Sequence, residues 1–161
     1  MITSPIYAMQ PLCRKRAYKT QQTMNISKLA ELAIHRGVIL HSSLFDCIDH
    51  GKFFVVMGEN EKELVGFFFI NTDIHPFIKK QQTLLDMQFP IRRSDYSFLK
   101  YTSFIDCHQL TTLTKSNLIS QIATKSAQVK GELTAEDLQL LLDAVRQSKL
   151  FSKAEKDSFF Q

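Results

Sequence analysis

The chain has 161 residues, 44% of them hydrophobic and 22% charged, with a formal net charge of +4. That length allows one domain with at most an appended arm, and the composition supports a buried core, which excludes wholesale disorder and a coiled coil. No apolar run approaches the roughly 18 residues of a membrane span; the tightest cluster, Leu64–Ile70, contains a glycine and suits a buried strand. Cys13, Cys47 and Cys107 are few, odd in number and unpatterned. They argue against a disulfide framework and for a reducing, cytoplasmic setting. Arg14–Arg16 is basic but no apolar stretch follows it, so no secretory signal is expected.

Residues 1–24 lack acidic residues and clear periodicity and read as a basic arm, with 25–161 as a single domain. Asn25–Arg36 has the spacing of an amphipathic helix through Ile26, Leu29, Ala30 and Ala33, with Asn25 as cap and Gly37 as a left-handed stop. Val38–Leu40, Phe53–Met57 and Leu64–Asn71 are short, β-branched and Phe-rich, and separated by Gly-containing turns, so they read as successive antiparallel strands. Leu84–Met87 and Phe104–Cys107 read as further strands. Helices return at Lys115–Ala123, after the near-capping box at Thr134–Asp137, and after Ser152. The expected fold is therefore mainly β with flanking helices (α+β): a small barrel or rolled sheet carrying an N-terminal helix and C-terminal helices. Period two within its strands places Phe54, Val56, Phe67, Phe69 and Ile105 inward.

No phosphate-cradling P-loop, dinucleotide fingerprint, nucleophile elbow or His-Glu-x-x-His motif is present, and no cluster has metal-ligand spacing. The sequence thus implies no metal and no cofactor. Three polar constellations remain. His50 and Lys52 lie in a turn between strands, where an imidazole can exchange a proton and an ammonium can stabilise phosphate charge; an ordinary hairpin turn explains the same string. Asn71 and Thr72 end the most apolar strand, followed by His75, an X-Pro turn, Lys79 and Lys80. Arg92, Arg93 and Lys100 are interleaved with Phe89, Tyr96, Phe98 and Tyr101, the combination that single-stranded nucleic acid uses for phosphates and stacked bases, although rings in a Phe-rich protein also serve as core.

Taken in order, several segments resemble the MazF/PemK-like toxins of bacterial toxin–antitoxin systems. Arg36-Gly37-Val38-Ile39 resembles the family's opening strand without its acidic residue. Lys52–Met57 stands where the family has Arg-Pro and an apolar strand. Phe68–Thr72 resembles the strand ending in Ile-Thr, and Phe98–Ile105 with His108-Gln109-Leu110 resembles the Gly-Leu-Lys-Lys-Asp-Ser-Val-Val and Asp-Gln-Val segments. Lys130–Thr134 leads into an amphipathic helix like the family's closing one.

The resemblance covers about Arg36–Ser148. It implies an SH3-like barrel, metal-independent endoribonuclease cleavage of single-stranded RNA, and a homodimer neutralised by an antitoxin protein. Under it Lys52 replaces the family's catalytic Arg and Thr72 matches its catalytic Thr or Ser. His50 or His75 would transfer protons, and Lys79, Lys80, Arg92, Arg93 and Lys100 would position RNA. The alternative is a non-catalytic barrel binding RNA or a protein partner through the same surface.

Overall fold

The structure is a computed structural model that describes residue 22, residues 24–45 and residues 50–161. The basic arm expected over 1–24 falls outside the described residues except at 22 and 24, as do Cys13 and Cys47. In chain order the elements are α1 (residues 24–32), β1 (Val38–Ser42), β2 (Lys52–Glu59), β3 (Leu64–Asn71), α2 (Pro76–Lys79), α3 (Gln82–Leu85), β4 (Gln88–Ile91) and β5 (Ser103–Asp106). They continue with β6 (Thr111–Thr114), α4 (Lys115–Ala123), β7 (Ala127–Glu132), α5 (Ala135–Gln147) and α6 (Lys153–Phe159).

The strands form one antiparallel sheet in the order β4-β5-β3-β2-β1-β7. One flank of β3 is shared: Ile70 and Asn71 pair with β5, and Leu64–Phe67 pair with β6. β4, β6 and β7 each pair on one side only, and β4 and β7 do not pair with each other, so the sheet is open. This corrects the expected SH3-like barrel. The domain is a mixed α+β fold in which helices and strands have comparable weight.

The reason lies in strands β2 and β3. Their central residues are apolar without alternation, the pattern of strands buried on both faces. Ile39, Val55, Met57, Phe68 and Ile70 face one core, with Leu141, Leu142 and Val145 of α5 and Phe159 and Phe160 at the chain's end. Val38, Leu40, Phe54, Val56 and Phe67 face a second core under Leu118 of α4, with Phe45 and Ile122 packed against it. Helices thus cover both faces, and a helix layer already fills the space that the side chains of a closed barrel would share among themselves. The inward set expected from period two is split accordingly. Phe54, Val56, Phe67 and the half-buried Phe69 share the α4 face, whereas Ile105 lies in the other core.

Local signals explain most element ends. Thr134 and Ser152 each accept a backbone N–H from the third residue onward, and Glu155 completes the capping box at Ser152. Gly37 has φ +85°, as expected, but α1 ends before it. The glycine makes the turn into β1, its N–H donating to Val56 O at 2.8 Å. One expected strand moves, and two strands were not expected. Leu84 and Leu85 belong to α3, and the strand follows at Gln88–Ile91. β6 and β7, with the sequences TTLT and AQVKGE, carry too little apolar alternation to announce themselves.

Among the described residues no helix is long and apolar enough to cross a membrane.

Candidate nucleic-acid interface

Strand register gathers the candidate residues at one end of the sheet. Lys52 opens β2 opposite Ser42, which closes β1. Phe53 pairs with Ile70, so Lys52 lies beside Asn71 at the close of β3. Asn71 pairs with Phe104, and Ser103 at the start of β5 pairs with Ile91 at the close of β4. Residues flanking these strand ends therefore converge: His50, Lys52, Thr72, Arg92, Arg93 and Lys100. Helix α2 follows β3 directly and adds His75, Lys79 and Lys80. Lys125, in the turn two residues before β7, adds a cation that the sequence pattern did not mark, because the strand it precedes was itself hidden. The opposite end carries Glu59, Glu61 and Glu63 around the β2–β3 turn and Glu132 at the close of β7. That end also holds Arg36, Lys62 and Lys115, the last paired with Glu59, and Asp73 and Asp95 lie among the cations of the first, so antiparallel pairing gathers cations at one end without making the other free of them.

Lys52 is half-buried. Its Nζ donates to Asn71 Oδ1 at 2.5 Å and lies 5.9 Å from the centre of the Phe69 ring. Burial lowers its pKa, and the Asp106 carboxylate works in the opposite direction. Asp106 anchors a polar cluster that the sequence reading did not single out. Gln88 Nε2 donates to its Oδ1 at 2.6 Å, Asn71 Nδ2 lies 3.5 Å from its Oδ2, and His108 Nδ1 bonds the same carboxylate. The available signal was period two: register places Gln88 opposite Asp106, and both fall on the sheet face of Lys52 and Asn71.

The other expected site residues are less integrated. His75 is the N-cap of α2, its Nδ1 accepting the Phe77 N–H at 3.2 Å. His50 is exposed at the start of the turn into β2, and Thr72 is exposed just past β3. Among the described residues neither His50 nor His75 bonds Lys52 or Thr72, so an acid–base pair is not assembled around the lysine. Lys79 pairs loosely with Asp73 at 3.9 Å. Lys80, Arg92, Arg93 and Lys100 are exposed and make no ion pair with another described residue.

Residues 92–102 form the most elaborate part of this end. Tyr96 is buried, its hydroxyl bonding the Asp137 carboxylate of α5 and accepting the Thr134 N–H at 3.2 Å. Leu99 is buried in the core, and the Phe98 ring lies 5.3 Å from that of Phe53, which packs in turn on His41 at 4.6 Å. The interleaved aromatics therefore divide. Tyr96 belongs to the core, Phe89 and Phe98 are half-buried, and Tyr101 stands out with 66% of its surface exposed. Beside it lies a groove of about 250 Å³ bounded by Phe53, Thr72, Phe98, Lys100, Tyr101 and Ser103.

The chain matches no known family model and no curated protein sequence. With the open sheet, this corrects the resemblance to the MazF/PemK-like toxins: neither the family nor its SH3-like barrel is present. The toxin–antitoxin endoribonuclease rested on both and falls with them. Nor do three or more His, Cys, Asp or Glu side chains converge anywhere among the described residues into a group that could hold a metal ion.

Proposed function

We propose that the protein is a non-catalytic binding module for single-stranded RNA, with the cationic end of the sheet as its contact surface. One observation carries the reading: register brings Lys52, Arg92, Arg93 and Lys100 to the same sheet end, and α2, which follows β3 there, adds Lys79 and Lys80, with the Glu-rich β2–β3 turn at the other. Phosphates attract such a surface at long range, and cations on different loops can follow a backbone without a fixed helical geometry. The non-catalytic character is supported by the bonds already described. The Lys52 ammonium is engaged with Asn71, and His75 is engaged in capping a helix.

The test is binding of a fluorescein-labelled, unstructured oligoribonucleotide across a salt series, read by anisotropy. The expected plot of log affinity against log salt is linear, with a slope of about −0.7 for each phosphate neutralised on a single strand. The double variant Arg92→Ala/Arg93→Ala flattens that slope by about one or more. Absence of binding at low salt overturns the reading, as does a slope unchanged in the double variant.

A further inference from the structure

We infer that the groove between Tyr101 and Phe98 is a nucleobase subsite, which seats one unstacked base of a single-stranded RNA with the adjoining phosphate on Lys100. The inference rests on the RNA-binding reading above but on different observations. Charges at a sheet end explain attraction to a backbone; they do not require a ring-sized hollow beside an exposed tyrosine.

Three features argue for a base. The first is the size and lining of the hollow. About 250 Å³ bounded by the rings of Phe53, Phe98 and Tyr101 admits a single planar heterocycle, and each base has a π-face suited to such walls. The second is rigidity. Phe53 is held between His41 and Phe98, at 4.6 and 5.3 Å, and the segment carrying Tyr101 is anchored by Tyr96 to α5 and by Leu99 in the core. A wall already fixed loses little freedom when a ring is placed against it. The third is the polarity of the rim. Lys100 offers an exposed ammonium for the phosphate, and the Thr72 hydroxyl lies at the surface. The buried Ser103 hydroxyl donates to Tyr101 O at 3.1 Å, which ties the backbone of the tyrosine wall to the start of β5. Charge complementarity selects an anionic ligand, and the rings select one that carries a flat base.

The decisive comparison uses two probes of equal length and charge: a ten-residue oligouridylate and its counterpart lacking the bases. The wild-type protein is expected to bind the base-bearing strand about tenfold more tightly, the scale of one stacked base. Tyr101→Ala is expected to erase most of that preference while leaving the salt slope unchanged, and Tyr101→Phe to restore it. Tyr101 is exposed, so these variants leave the core intact, which a melting curve for each verifies. Binding of both strands with equal affinity keeps the RNA-binding reading and overturns the subsite. A base preference that survives in Tyr101→Ala overturns it as well. Failure to bind either strand at low salt overturns both readings, and a partner of another class, such as a protein, then accounts for the surface.

Discussion

Phe159 of α6 lies directly on Gly66 of β3: a Cβ placed on that glycine would come within 2.7 Å of the ring's Cδ1. Gly58 stands opposite Gly66 on β2, and a Cβ there would come within 2.6 Å of Phe159 O. The two glycines cut a slot across the sheet at the end that carries the β2–β3 turn. Arg36 closes it from the side, donating through Nε to Met57 O at 2.7 Å and through Nη2 to Phe159 O at 3.3 Å. The terminal turn is therefore seated by the absence of two side chains as much as by the presence of one ring.

Gly66→Ala is expected to destabilise the fold by about 1–3 kcal/mol, the usual consequence of overpacking, since the ring it meets is itself buried. Phe159→Ala vacates the slot, so the double variant should lose less than the sum of the single losses. Urea denaturation of the three variants measures this coupling. Additive losses would show that the close approach carries no strain when the methyl is added.

Cys107 is buried, and burial raises its thiol well above the ordinary value of 9.0, with the nearby Asp106 carboxylate acting in the same direction. In a Cys13→Ser/Cys47→Ser background, alkylation of the native protein should be slow and governed by unfolding. The pH dependence has a definite sign. The unfolded thiol ionises first as pH rises, so the unfolded state binds fewer protons there. The contribution of Cys107 is complete below the unfolded value and is lost as pH climbs above it. Melting temperatures from pH 7 to 10, compared with Cys107→Ala, should show that extra alkaline loss in the protein with the thiol.

Asp106 accepts from Gln88, His108 and Asn71, and it is the one carboxylate among them. Asp106→Ala strands a buried amide and should cost about 2–3 kcal/mol. Asp106→Asn, which keeps an acceptor oxygen, should cost less. Thermal unfolding of both variants separates a cluster held by hydrogen bonds from one that is merely adjacent.

Burial, and then the bond to Asp137, raises the Tyr96 pKa. Tyr96→Phe keeps the ring and deletes the bonds to Asp137 and Thr134. The expected loss is about 1–2 kcal/mol. Hydrogen exchange should accelerate in residues 92–102 ahead of the central strands, because the bond ties that segment to α5. Uniform acceleration across the sheet would instead place the hydroxyl's contribution in the global core.

The sequence revealed those elements whose residues carry a local physical signal. Leu64–Asn71 was legible from its Phe and β-branched content, Lys115–Ala123 from its apolar spacing, and α5 and α6 from Thr134 and Ser152 as caps. Closure of the sheet was not legible. Period two says that neighbouring residues face opposite sides, but it does not say whether the far side is water or a second layer. Here Val55 and Met57 meet α5 and α6 while Phe54 and Val56 meet α4, which defeats the barrel. Of the site, the cations were visible as residues but their convergence was not, since it depends on which strand ends share a register. Asp106 escaped because its partners Gln88, Asn71 and His108 come from three separate segments.

The open sheet has three outer strands among the described residues, β4, β6 and β7, and each is treated differently. β4 carries Pro90 in its middle, which supplies no N–H and is tolerated because an outer strand pairs on one side only. β7 exposes Lys130, and its pairing with β1 shifts register between Ile39 and Leu40. A bend and a charge there oppose the docking of a like strand. β6 offers only four residues, so each outer edge resists templated growth, and copies of this chain held close together would stay separate and would not fuse into a continuous β-ribbon.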